Sequence, residues 1–569
     1  MSRYSEIPMN KKIPILSTKI ILSSNQLIIA VSTWLLLFSN WPFWRVVWKS
    51  VGGLQDGSIL FVLSLPWFVL MWLYVLLSAM AWGRFIKPVL AIVLLVAAAA
   101  SYFMNSYGIV IDYSMLTNVI QTDISETTDL LNWELLRWML GFGVLPVLLI
   151  TRVRLIQRSR TRALAHRLMG LAVALTCLAI IVFTLYQSYA SLVRNHRELR
   201  LMLVPSNVVS AIHGYMRRQL AQPTELKIIG ADARQGETTA SVKKSRLTLL
   251  IVGETARSAN FSLNGYTRDT NPELTRRGVL SFTNVSSCGT ATAISLPCMF
   301  LDAGKQGYKD GMALRREGLL DVLQRAGVSV LWRDNNSGCK GICDRVKNEK
   351  LNNQKTSGLC RAGECYDEVL LQDLQAYLDQ QQGDSVVVLH MKGSHGPSYY
   401  KRYPREFERF GPVCDNNQLE RCTRESIVSA YDNSIVYTDY VLGQTIDLLK
   451  RNAERFDTAM LYVSDHGESL GENGIYLHGL PYAMAPKEQT SIPMVLWISK
   501  NMQSRQKLDV QCLREQRGAS LSHDNLFHSI LGLMNIQTSA YRPELDLFSA
   551  CQSKALASLK LTSMTGQQQ

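Results

Sequence analysis

Apolar positions along the chain fall into two regimes. Before about residue 190 they form long runs, and after residue 246 they form short runs separated by polar stretches. The runs at 20–40, 58–80, 88–107, 134–150 and 168–189 each approach the roughly 20 apolar residues a spanning helix requires. The pattern predicts five membrane helices. The first is not read as a cleaved signal peptide, because further spans follow it and no small-residue cleavage pattern is evident. Beyond residue 246, apolar runs of strand length end in residues that can hold metals or phosphate. Residues 247–252 lead into Gly253-Glu254-Thr255, and 328–332 into Asp334-Asn335-Asn336. Residues 385–390 lead into Lys392-Gly393-Ser394-His395-Gly396, and Tyr462-Val463 into Ser464-Asp465-His466-Gly467-Glu468. Helical stretches at 318–326, 367–380 and 426–450 alternate with these runs. That alternation predicts an α/β domain with a mainly parallel sheet and helices on both faces, whose sites lie at the carboxyl ends of its strands. The expected division is a membrane domain at 1–189, a linker or interfacial helices at 190–246, a catalytic domain at 247–552 and a tail at 553–569.

Charge orients the spans. Lys11, Lys12 and Lys19 precede the first span, Arg84 and Lys87 follow the second, and Arg152, Arg154, Arg158, Arg160, Arg162 and Arg167 crowd the link between the fourth and fifth. Residues 103–134 carry Asp112, Asp123, Glu126 and Asp129 and no Lys or Arg. Basic loops stay in the cytoplasm, so five spans leave the carboxyl-terminal half outside, which for a bacterial inner membrane means the periplasm. The net charge of +14 suits anionic lipid surfaces. Because the basic residues track the topology and no reader motif is present, nucleic-acid binding is discounted.

Ten of the eleven cysteines follow residue 287. They fall into close pairs, Cys288 with Cys298, Cys339 with Cys343, Cys360 with Cys365 and Cys414 with Cys422, leaving Cys512 and Cys551. In an exported domain an even set reads as disulfides. Zinc binding by Cys339, Cys343, Cys360 and Cys365 is the rival reading.

The ordered strings Gly253-Glu254-Thr255-Ala256-Arg257, Ser287-Cys288-Gly289-Thr290-Ala291-Thr292, Cys339-Lys340-Gly341, Lys392-Gly393-Ser394-His395-Gly396-Pro397, Tyr431-Asp432-Asn433, Ser464-Asp465-His466-Gly467-Glu468 and Leu477-His478-Gly479 resemble those of the phosphoethanolamine transferases that modify lipid A. That group includes the mobilised colistin-resistance enzymes. The resemblance implies an alkaline-phosphatase or sulfatase-like α/β/α fold behind five membrane helices. It further implies a zinc site made by Glu254, Thr292, Asp465 and His466, with Thr292 as nucleophile. Two carboxylates, an imidazole and an alkoxide suit four-coordinate zinc, and coordination activates a hydroxyl. Residue chemistry alone does not choose Thr292 over Thr290, Ser287 or Ser295.

By the same resemblance, His395 and His478 hold the phosphoryl group or a second zinc during catalysis, and Asn336 and Lys340 contact the donor's phosphate and head group. Asn118, Thr122 and Glu126, at i, i+4 and i+8 on one helical face, match a polar triplet near the donor's path. His390 and His523 read as buried, hydrogen-bonded side chains. The expected reaction is a transfer from phosphatidylethanolamine to a lipid A phosphate through a Thr292 adduct, carried out by a monomer among inner-membrane lipids. Competing readings are another envelope glycan as acceptor, a phosphoglycerol donor, a hydrolase on the same fold, and a noncatalytic membrane-anchored zinc-binding component.

Overall fold

The computed structural model describes residues 20–50, 59–122, 124–220, 225–236, 244–352, 358–361 and 364–552. Lys11, Lys12, Lys19, Asp123 and the expected tail lie outside the described residues, as do the side chains of Glu126 and Arg197. The chain divides into two units, Met1–Asn105 with Trp133–Val208 and Ser106–Asn132 with Val209–Gln569. The Ser106–Asn132 segment, which lies inside the expected membrane domain at 1–189, falls in the unit that holds the sheet.

In the first unit, Ile59–Met80, Gly83–Ser106, Trp133–Arg152 and Arg160–Thr184 are long and apolar enough to cross a bilayer. Counting the bent pair Ser24–Ser39 and Trp41–Ser50, 66° apart, as one span gives five among the described residues. The expected span at 20–40 is corrected at both ends. Ile21–Leu22 is a short strand paired with Arg154–Leu155, and the helix begins at Ser24 under a capping box formed by Ser23 and Gln26. It breaks at Asn40, whose buried amide donates to the carbonyls of Leu35 and Val204 and accepts from Val204 N. A polar side chain there satisfies backbone groups that a helix end leaves open.

The Arg-rich link is corrected as well, since Arg160, Arg162 and Arg167 lie in the first turns of the helix Arg160–Thr184. Arg167 is buried and donates to the carbonyls of Ser78 and Ala81, at the end of Ile59–Met80. Helix-terminal carbonyls lack intrahelical partners, and a long cationic side chain supplies one.

The second unit is built on an eight-stranded sheet. Its strands are β1 (Ser245–Gly253), β2 (Leu280–Ser286), β3 (Ser329–Asp334), β4 (Lys347–Lys350), β5 (Ser385–His390), β6 (Phe456–Ser464), β7 (Ser491–Ile498) and β8 (Leu521–Ser522). They lie in the order β8-β2-β7-β6-β1-β5-β3-β4. Only β7 runs against its neighbours. Six helices matter here: α1 (Tyr113–Gln121), α2 (Ile124–Leu130), α3 (Ser206–Leu220), α4 (Thr292–Phe300), α5 (Arg424–Arg451) and α6 (Asp524–Leu533). Leu250, Val252, Trp332 and Val388 pack on one face with Leu296 of α4 and Phe527 of α6. Leu249, Ile251, Leu331 and Leu389 pack on the other with Ile435 and Tyr437 of α5. Covering both faces explains why these strands read as continuous apolar runs rather than alternating ones.

Register places the site. Val252 pairs with His390, His390 with Asp334, and Gly253 with Ser464, so four neighbouring strands end at one level. The expected helix at 367–380 is two short pieces, Asp367–Leu371 and Leu374–Asp379, divided at Asp373, which adopts φ +58. Five disulfides join Cys288–Cys298, Cys339–Cys343, Cys360–Cys365, Cys414–Cys422 and Cys512–Cys551. They are the pairs that sequence proximity suggests, and they set aside zinc binding by these thiols.

Candidate active site

Glu254 follows β1 directly and Asp465 and His466 follow β6, so two neighbouring strands deliver two carboxylates and an imidazole to one point. Thr292 opens α4, whose loop is tied to the helix by the Cys288–Cys298 bridge. Its Oγ1 lies 3.1 and 3.0 Å from the two Glu254 oxygens and 3.3 Å from His466 Nε2. His466 Nδ1 donates to the Gly467 carbonyl at 2.9 Å, which turns Nε2 towards the two carboxylates. That nitrogen stands 3.3 Å from Glu254 Oε1 and 3.4 Å from Asp465 Oδ2. Asp465 Oδ1 accepts from the backbone N–H of Thr255 and His466, while its Oδ2 is buried without a hydrogen-bond partner.

The turn that carries Glu254 is held from several sides. Thr255 takes a left-handed conformation, φ +54, which is strained for a β-branched residue. Tyr431 Oη holds it there, donating to the Thr255 carbonyl and accepting from Arg257 N. The neighbouring Asp432 accepts from Asn260 and Tyr266, so the Tyr431-Asp432 string serves to brace this turn. Gly393 is required beside it, because a Cβ there would lie 2.6 Å from the Glu254 carbonyl oxygen at φ +54.

Asn336, expected at the donor phosphate, is buried behind Glu254. Its amide donates to Glu254 Oε2 at 2.8 Å and to the Met391 carbonyl at 2.9 Å. Behind it, Asp334 accepts from His390 Nδ1 at 3.0 Å and from Trp332 Nε1 at 2.8 Å. Burial opposes charge on both members of this pair, yet the His390 charge holds Asp334 down to about 2 and the Asp334 charge raises His390. His523 donates from Nε2 to the Ser464 carbonyl and accepts from Cys288 N at Nδ1. Burial pushes it down to about 4, as befits a neutral structural link between the two loops.

His395 and His478 stand on the other side of Glu254. One ring nitrogen of each lies within 4.8 Å of a Glu254 oxygen and of the other. His478 Nδ1 donates to Glu468 Oε2 at 2.8 Å, and Tyr399 Oη donates to Glu468 Oε1. Burial and the nearby Lys392 charge hold His395 well below the usual histidine range. The loop carrying His395 is shaped by Asp367, which accepts from the backbone of Lys392 and Gly393. Lys340, at φ +51, donates to Ser337 and to the Gln121 carbonyl, and it lines a cavity of about 280 Å³ with Gln121, Pro297, Leu314 and Ser337.

The positions of Asn118, Thr122 and Glu126 do not lie on one continuous helix. Helix α1 ends at Gln121, Thr122 is extended at ψ 138, and α2 starts afresh at Ile124. The Thr122 hydroxyl donates back to the Asn118 carbonyl, a local bond that competes with helix continuation. Asn118 lies on α1 near the turn after His478, where a Cβ added at Gly479 would come within 4.0 Å of its amide nitrogen.

The donor set fits a divalent metal. Burial alone would raise Glu254, but the His466 hydrogen bond and charge, with His395 and His478 beyond, hold it well below the carboxylate range. Burial and the Glu254 charge push Asp465 up, while Asp465 and Glu254 raise His466 against its burial. Two carboxylates crowding one imidazole, with Asp465 Oδ2 unsatisfied, are the arrangement a bound cation relieves.

Comparison with known proteins agrees with this geometry. The description Sulfatase matches residues 246–536, and Phosphoethanolamine transferase EptA/EptB matches residues 69–220. The chain is 43% identical to phosphoethanolamine transferase EptA of Escherichia coli K12, over 91% of this chain and 96% of that one. It belongs to the EptA family of phosphoethanolamine transferases. Phosphatidylethanolamine transferase Mcr-1 of E. coli is 42% identical over 73% of this chain and 79% of its own. The integral membrane EptA of Neisseria meningitidis superposes with a TM-score of 0.91 at 37% identity, covering 94% of this chain and 99% of that one. The transferase is accordingly a multi-pass inner-membrane enzyme with a sulfatase-like domain. In this enzyme the sequence placed Glu468 and Asp334 in strand-end strings without giving either a role, and it gave no sign of Asp367. Glu468 closes the Asp465-His466 string, so a carboxylate two residues past a candidate ligand was the available signal.

Proposed function

We propose that the enzyme transfers phosphoethanolamine from phosphatidylethanolamine to a phosphate of lipid A through a covalent adduct on Thr292, with zinc held by Glu254, Thr292, Asp465 and His466. The observation that carries this reading is Thr292 Oγ1, buried at the start of α4 within 3.3 Å of Glu254 and His466. Zinc supplies a Lewis acid for the phosphoryl oxygens and lowers the pKa of the threonine hydroxyl.

The chain's own groups do the rest. Glu254, held ionised, draws the Thr292 hydroxyl hydrogen towards itself, and the positive end of the α4 dipole favours the developing alkoxide. Thr292 Oγ1 bonds to phosphorus and the bond to diacylglycerol breaks. His395 and His478 hold the phosphoryl group, and His478, fixed by Glu468, delivers a proton to the leaving oxygen. A lipid A phosphate oxygen then displaces Thr292, which regains its proton. Capping an anionic phosphate with an amine lowers the surface's attraction for cationic peptides such as polymyxins, and so confers colistin resistance.

The test incubates the detergent-solubilised enzyme with phosphatidylethanolamine alone, followed by mass spectrometry of the Thr292 peptide with and without chelator. A chelator-sensitive phosphoethanolamine adduct with released diacylglycerol is expected, and Thr292→Ala abolishes it. Folded, zinc-loaded enzyme that yields neither product overturns the donor assignment.

A further inference from the structure

Arg402 lies outside the proposed ligand set, yet three separate segments meet on its guanidinium. Its Nε donates to the His395 carbonyl at 2.9 Å, Nη1 to Glu364 Oε2 at 3.1 Å and Nη2 to Asp129 Oδ2 at 2.8 Å. The side chain is only 3% exposed, and that of Asp129 6%. Asp129 belongs to α2, in the segment Ser106–Asn132 that interrupts the membrane spans. It also takes Lys401 Nζ on Oδ1 at 2.5 Å, and its carbonyl accepts from the Asn417 amide. Glu364 sits in the hairpin closed by Cys360–Cys365, so that side of the guanidinium is anchored to a covalently stapled turn.

We infer that Arg402 is a positioning residue, which together with Asp129 makes the placement of His395 depend on the docking of α2. The inference rests on the proposed role of His395. A planar guanidinium can hold a carbonyl and two carboxylates in one fixed fork, which a lysine ammonium cannot. With the fork complete, the loop from Lys392 to Arg402 is pinned at its far end while Asp367 pins its start. Without Asp129, Arg402 has a buried charge to satisfy elsewhere and the His395 backbone follows it.

The test is a double-mutant cycle on the full-length enzyme in detergent, with diacylglycerol release from phosphatidylethanolamine resolved into kcat and KM. Asp129→Asn and Arg402→Lys are each expected to lower kcat roughly 10- to 100-fold, the scale of a small misplacement of a reacting group, with KM little changed. His395→Ala alone lowers kcat at least as far, and Asp129→Asn adds no further loss in that background, because both act through one group. Losses that multiply overturn the inference and leave the site reading intact. Full turnover by His395→Ala overturns the site reading, and this inference with it. If Asp129→Asn fails to fold by its thermal midpoint, Lys401→Gln, which removes a half-exposed contact to Asp129, takes its place in the same cycle with a smaller expected loss.

Discussion

Asn336 hands an amide hydrogen to Glu254 Oε2 at 2.8 Å while its second contact is the backbone carbonyl of Met391. The residue therefore aims a carboxylate. Asn336→Ala removes the aim while leaving all four proposed ligands in the chain, and is expected to weaken metal affinity about 10- to 100-fold, the range for such supporting partners. Competition with a chromophoric zinc chelator measures it, and unchanged affinity would show that Glu254 needs no support.

Metal removal should cost stability as well as activity. The buried pair of carboxylates at Glu254 and Asp465, each at most 1% exposed, is left facing one imidazole when a cation is withdrawn. Excess chelator is expected to lower the thermal midpoint, and zinc to restore it by mass action, by about 3 kcal/mol at 100 times the dissociation constant. A midpoint indifferent to chelator in a metal-loaded sample counts against a bound ion.

The Asp334–His390 pair sets a pH window for stability. Asp334 is depressed to about 2, so its contribution is present above its unfolded value of roughly 4 and is lost as pH falls towards 2. His390 is raised, so its contribution is complete below roughly 6.5 and is lost as pH climbs through its folded value. The gap in thermal midpoint between the native chain and His390→Gln should be widest between about pH 4 and 6.5 and narrow on either side. A gap that widens above pH 7 would contradict the sign.

The Cys288–Cys298 bridge holds the loop that presents Thr292. Replacing both cysteines by serine is expected to destabilise the enzyme by about 2–4 kcal/mol. It should also reduce Thr292 adduct formation more than it reduces the folded fraction at the assay temperature. Parallel denaturation and adduct assays separate the two effects.

Much of the sheet was legible because its strands are buried on both faces and read as unbroken apolar runs, each stopping at a polar string. Register then brings those strings to one level, which is why Glu254, Asp465 and His466 meet. Proximity sufficed for the disulfides because four of the five close short loops. What escaped the sequence is tertiary. Asn40 ends a helix by reaching Val204, far along the chain, and Arg167 is buried because the carbonyls of Ser78 and Ala81 await a donor. The break after α1 falls at Thr122, whose hydroxyl bonds back to the Asn118 carbonyl, and a spacing rule for polar residues does not register it.

The segment Ser106–Asn132 belongs with the sheet although the chain reaches it between two membrane helices. A soluble fragment cut after the last span would therefore omit a native piece of its own domain. Such a fragment loses the carboxylate of Asp129 from Arg402 and Lys401 and the backbone oxygen of Gln121 from Lys340. Compounds screened against it would be chosen on a surface the intact enzyme keeps covered, and a library ranked that way should be re-ranked on the whole chain.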